Sequence, residues 1–225
     1  MKNKAGKIKR HSFSNRFVHW LTAISIFLLI FSGLGQLPLY NRYLVTELPF
    51  MGWTGNYFAT LVLHYLGAIS LLFIVFYHMI LHMLRKEFSI WPRKGDVKES
   101  MQIIKAMLTK GQEPPSDKYL AEQRLAYLFI GVNIMLLVLT GIIKLIKNVP
   151  GVSMGNGIIT WSAHIHNLAT VLLIIGIIAH LAAFIMKENR KLLPGIFTGY
   201  VDEDYVKHRH SIWYKKLLAK KTGSK

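Results

Sequence analysis

The stretch Trp161–Met186, WSAHIHNLATVLLIIGIIAHLAAFIM, decides how the rest of the chain reads. It has no charged residue, yet it holds His166 and His180 within a run of Ile, Leu, Val and Ala. The run exceeds the roughly 20 residues that a hydrocarbon core demands of a helix. A histidine there is costly unless it is hydrated, paired or metal-bound, so it marks function. The two are fourteen residues apart, which is about 21 Å of helix and about 40° short of four full turns. Both imidazoles therefore leave nearly the same face, at two depths of a bilayer. A pair of stacked haems needs such an arrangement, and the other spans must then supply the opposing ligands.

Composition agrees with a membrane protein. Of 225 residues, 52% are apolar, and they are bunched into long runs. The first apolar run, about 17–35, lacks a small-residue cleavage site and is long enough to span, so it reads as a retained helix rather than a signal peptide. The second span is about 58–83, the third about 125–146 and the fourth 161–186. Between spans two and three, Asp96–Lys110 aligns Val97, Met101, Ile104 and Leu108 on one helical face, with Asp96 as its N-cap; this predicts a helix lying in the interface. The expected fold is an all-α, four-transmembrane-helix bundle, a single domain over 1–225 with a basic tail at 187–225. With no cysteine, disulfides, zinc–thiolate sites, Cys-ligated clusters and covalent c-type haem are all excluded.

The net charge of +17 is a topology signal. Six Lys and Arg precede the first span, nine lie between Leu84 and Arg124, and ten follow Met186. The two remaining connections hold one and two. By the positive-inside rule both termini are cytoplasmic, and the basic charge faces anionic lipid rather than nucleic acid.

With that orientation, His64 in span two and His166 in span four match in depth near the outer side. His19 and His180 match near the inner side. Two neutral imidazoles make a low-spin, six-coordinate haem iron, and facing helices of a bundle are where such ligands are built. Zinc would gather four ligands around one ion, whereas these pairs are several turns apart. His164 faces away from His180, so His166 is taken as the ligand. His78, fourteen after His64, competes for the inner level, and by spacing alone His78–His180 is as good a pair as His19–His180.

Several motifs point to a known group. Arg16-Phe-Val-His19-Trp20 resembles the R-x-x-H-W opening of the cytochrome b (gamma) subunits of membrane-bound formate dehydrogenases, which nickel–iron hydrogenase cytochrome b subunits share. Leu63-His64, Lys118-Tyr119 with Gln123, and the His166/His180 spacing match as well. The tail, Gly195-x-x-x-Gly199-Tyr-Val201 and His208-x-His210-x-x-Trp213-Tyr214, is similar to the formate dehydrogenase group in particular.

The resemblance implies two haem b, an outer one on His64 and His166 and an inner one on His19 and His180, with His78 an inner neighbour. It also implies a menaquinone or ubiquinone site at His180, Gln123 and Tyr119, with Lys118 and Glu122 on the proton side. The group's K-Y-N loop carries Leu120 here in place of Asn, and Gly67 stands three residues after His64 where the group has a glycine at four. The implied role is a membrane anchor and electron-transfer subunit of the bacterial inner membrane. It would link an extracytoplasmic iron–sulfur subunit, and through it a formate dehydrogenase-like catalytic subunit, to quinone. The chain carries no dehydrogenase motif of its own. The alternatives are a cytochrome b of a hydrogenase or thiosulfate-type reductase that oxidises quinol, and a haem-free transporter, which the absence of Asp and Glu from the four expected spans disfavours.

Overall fold

A computed structural model describes residues 6–109 and 111–222. Lys2, Lys4, Lys110 and Lys225 of the charge pattern lie outside the described residues. In chain order the elements are β1 (Lys7–Lys9), α1 (Phe13–Gly35), α2 (Pro38–Arg42), α3 (Tyr57–Arg85), α4 (Asp96–Thr109), α5 (Ala121–Ile146), α6 (Asn156–Ala182), α7 (Lys187–Arg190), α8 (Leu193–Thr198), β2 (Tyr200–Asp202), α9 (Glu203–Arg209) and α10 (Ser211–Thr222). Among the described residues, four helical stretches are long and apolar enough to cross a membrane: Phe13–Gly35, Tyr57–Arg85, Ala121–Ile146 and Asn156–Ile185. The all-α, four-span architecture is as expected, with two three-residue strands added. The chain divides into two compact units, Phe13–Lys86 and the described parts of Met1–Ser12 with Glu87–Lys225.

In the first unit α1 packs on α3. Ser14 of α1 accepts a hydrogen bond from Arg85 at the end of α3 (3.1 Å), and Ser32 at the other end of α1 meets His64 near the start of α3, so the two helices run antiparallel. The α3 helix begins where Asn56 caps it, accepting from the Phe58 and Ala59 amides. Lipid tails give apolar helices no hydrophobic reason to associate, so small and hydroxyl side chains make the seam. Ser25 donates to Ser70 at 2.8 Å, and a Cβ on Gly67 would come within 3.0 Å of Leu29.

In the second unit α5 packs on α6, with Gly176 admitting the Phe129 ring. The fifth helix starts four residues ahead of the expected third span, because Arg124 is buried in an ion pair with Asp96 (2.6 and 2.8 Å). Asp96 therefore does not cap α4. It is the first residue of that helix, and its carboxylate holds Arg124 and the Arg93 amide instead. Val97, Met101, Ile104 and Leu108 form an exposed apolar stripe on α4, while Ile103 and Ala106 turn inward. Ile103 packs with Leu120 and Ala121. Strands β1 and β2 pair antiparallel, setting Ile8 opposite Val201, and Tyr205, Val206 and Trp213 close an apolar core over them. The segment before α1 is thus tied to the segment that follows α6.

Candidate functional site

The four candidate ligands are carried two by two, His19 and His64 in the first unit, His166 and His180 in the second. His64 is half-buried, and its Nδ1 lies 3.1 Å from the Ser32 hydroxyl. That hydroxyl has one proton, which goes to the Leu28 carbonyl at 2.7 Å. A hydroxyl that donates to this carbonyl accepts from Nδ1–H, the tautomer in which Nε2 holds the lone pair. The next residue is Gly33, where a Cβ would come within 3.3 Å of His64 Cε1.

The same arrangement recurs in the second unit. Thr140 Oγ1 lies 2.8 Å from His166 Nδ1 and gives its proton to the Leu136 carbonyl at 2.6 Å. Gly141 follows, and a Cβ there would stand 3.7 Å from His166 Cε1. In both units a Ser/Thr-Gly pair near the end of one span receives the ring of a histidine near the start of the next. A histidine braced at Nδ1 presents Nε2 as the nitrogen that can bind a metal.

A family model described as prokaryotic cytochrome b561 matches residues 10–199. The chain belongs to the prokaryotic cytochrome b561 family. No curated protein matches it. As a family member it is a multi-pass electron-transfer cytochrome of the bacterial inner membrane that binds haem b. The residues present fit that group. The Ser32–His64 and Thr140–His166 contacts engage each ring at Nδ1 and not at Nε2, and a glycine lies beside each ring.

The remaining histidines of this cytochrome are placed differently. His19 lies half-buried on α1 with its ring edge-on to Trp20. His180 is exposed on α6 beside Phe184. His78 stacks edge-on against His82 at 4.3 Å, a pair that spacing from His64 did not announce. His164 is exposed against Trp161.

The expected quinone residues Tyr119 and Gln123 converge on Arg10, which sequence reasoning counted only as a basic charge. The Arg10 guanidinium is buried between the faces of Tyr119 and Trp213, at 5.4 and 5.6 Å from their centroids. It donates to Gln123 Oε1 and to His210 Nε2, both at 3.4 Å. His210 in turn donates from Nδ1 to the Asp117 carbonyl at 2.7 Å. Burial and the Arg10 charge push His210 down to about 3 and keep it neutral. Burial raises Tyr119 above the usual phenol range, against the pull of Arg10, and burial lowers Lys118. Gln123 Oε1 also accepts from the Leu120 amide at the start of α5. Glu122 is half-buried on the first turn of α5. Leu120 is fully buried against Ile103 and Ala121 and gives this loop a packing role.

Proposed function

We propose that this cytochrome is the membrane anchor and electron-transfer subunit of a formate dehydrogenase-like respiratory complex, carrying electrons through two b haems between an extracytoplasmic iron–sulfur subunit and the quinone pool. The observation that carries the reading is the hydroxyl-braced histidine found once in each unit, Ser32–His64 and Thr140–His166. His64 and His166 are the axial pair of the outer haem, and His19 and His180 that of the inner haem, with His78 its neighbour. Bound haem b supplies one-electron chemistry at a low-spin, six-coordinate iron. The chain's contribution is to position the imidazoles and surround them with apolar helix.

Both termini are cytoplasmic in this reading. The Lys and Arg count supports it, as does the β1–β2 pairing, which keeps the two terminal segments on one side. Quinone, menaquinone or ubiquinone, is bound at the inner side by His180, Tyr119 and Gln123. The convergence of the latter two on a buried guanidinium supports this, Lys118 stacks over Tyr119, and Lys118 and Glu122 are the proton-side residues of this reading. The tail residues that resemble the formate dehydrogenase group build the arm-and-tail fold. Gly199, at φ 87°, accepts from the Arg10 and His11 amides, and Gly195 lies against Val201. An iron–sulfur subunit and a formate dehydrogenase-like catalytic subunit are its partners.

Deleting the chain in the bacterium that carries it tests the assignment. Membranes should lose formate-driven quinone reduction while the catalytic subunit still reduces a soluble dye with formate. If formate-driven quinone reduction persists and hydrogen- or thiosulfate-linked activity disappears, the chain belongs to a hydrogenase or thiosulfate-type reductase instead.

A further inference from the structure

We propose that α4 docks its outward face into the headgroup region of a bilayer that carries anionic lipid, so that the connection between the second and third spans is a peripheral anchor. The inference uses none of the haem or quinone assignments and concerns a surface that electron transfer leaves idle.

The inward face of α4 is already occupied. Ile103 packs with Leu120 and Ala121, and both acidic residues of the helix, Asp96 and Glu99, pair with Arg124 of α5. The outward face is bare: Val97, Met101, Ile104 and Leu108 are 64%, 68%, 45% and 71% exposed. At about 100° per residue these four fall within about 60° of one another. Lys98 and Lys105, both exposed and seven residues apart, run along one flank of that stripe. Among the described residues, neither they nor Lys94, just ahead of the helix, is in an ion pair. The approach to α4 is apolar too. Phe88 and Trp91 meet edge-on at 6.0 Å, and each is about half exposed.

An aliphatic stripe with lysines at its edge is the composition of a helix lying in the plane of a membrane surface. The lysine stems cover apolar area while their ammonium groups reach lipid phosphates. A tryptophan at the entry suits the headgroup level. A protein partner fits less well, because interface cores are depleted of Lys and anchored by aromatic and Arg side chains, which the stripe lacks. Charge then selects the lipid. With its acids turned to Arg124, the exposed charges of α4 are both positive. Since the Asp96–Arg124 and Ile103–Leu120 contacts tie α4 to the start of α5, docking holds that start at the membrane surface.

The chain has no cysteine, so single nitroxide labels can be placed by Met101→Cys, Leu108→Cys and, away from the stripe but exposed, Gln102→Cys. The full-length protein is set in nanodiscs of phosphatidylcholine with or without phosphatidylglycerol. Electron paramagnetic resonance then reads each label's collisions with oxygen, which enters lipid, and with a water-soluble nickel chelate. With phosphatidylglycerol, the labels at 101 and 108 should meet oxygen and lose their nickel collisions, while the label at 102 keeps them. Omitting phosphatidylglycerol, or adding Lys98→Gln with Lys105→Gln, should bring nickel collisions back at 101 and 108. Nickel reaching the stripe labels in phosphatidylglycerol discs would overturn the proposal. So would shielding from oxygen and nickel alike, the mark of burial against a second copy or a partner. Shielding indifferent to both phosphatidylglycerol and the lysines would overturn the assignment to anionic lipid.

Discussion

Thr140 Oγ1 stands 2.8 Å from His166 Nδ1 and 2.6 Å from the Leu136 carbonyl, so one side chain of α5 braces a histidine on α6. Ser32 does the same for His64 from α1. The glycines beside them grade the space available to each ring. Gly33→Ala puts a methyl 3.3 Å from His64 Cε1, tighter than ordinary contact, whereas Gly141→Ala leaves 3.7 Å at His166. Haem content per polypeptide should therefore fall in the first variant and stay at the wild-type level in the second. Equal haem in both would show that ring position is not constrained there.

The Asp96–Arg124 pair is buried on both sides and fastens α4 to α5. Asp96→Ala leaves the guanidinium buried with only the more distant Glu99 at 3.4 Å and the Tyr119 carbonyl, and should destabilise this unit by about 3–5 kcal/mol. The Arg124 hydrogen bond holds Asp96 below the usual carboxylate range. Its stabilising contribution is accordingly present above about pH 4, the unfolded value, and is lost as pH falls through the lower folded value. Thermal unfolding of the wild type and of Asp96→Ala across pH 3–7 reads both effects.

His210 carries a second pH dependence. It is neutral in the folded state down to about 3 and titrates near 6.5 when unfolded. Between those values the unfolded chain binds the extra proton, so stability of the arm-and-tail core declines as pH falls, by at most about 1.4 kcal/mol per pH unit. Limited proteolysis of the tail should accelerate from pH 6.5 towards 4.5 in the wild type. His210→Gln should flatten that response, and an unchanged slope would remove His210 as its source.

Leu120→Asn inserts an amide beside Ile103 and Ala121, where Leu120 is fully buried. A buried amide without a partner costs about 1–3 kcal/mol. The variant should have a lower melting temperature than the wild type, and a rise would contradict a packing role for this position.

What the sequence made legible follows the range of the forces involved. Hydropathy is local, so the four spans were readable, but helices extend past their apolar runs: α1 begins at Phe13 and α6 at Asn156, four and five residues ahead of the expected starts. Arg124 reads as the end of a polar loop until Asp96, twenty-eight residues away, is seen to neutralise it inside α5. Asp96 reads as an N-cap for the same reason, since a cap and a long-range acceptor share one residue type. The β1–β2 ladder joins Ile8 to Val201 through backbone bonds that leave no periodic trace in three-residue strands. Histidines announced themselves by being costly in an apolar run. The hydroxyls that brace them did not, because Ser and Thr are tolerated anywhere in a membrane helix. The repeated signal was Ser32-Gly33 and Thr140-Gly141, each near the end of a span.

The most direct test of the central claim is haem per polypeptide in the detergent-purified full-length protein, with its reduced-minus-oxidised spectrum. The account predicts about two haems per chain, both b-type and low-spin, as bis-imidazole ligation requires. A well-folded preparation that binds none, or a high-spin spectrum with an open iron position, would contradict it.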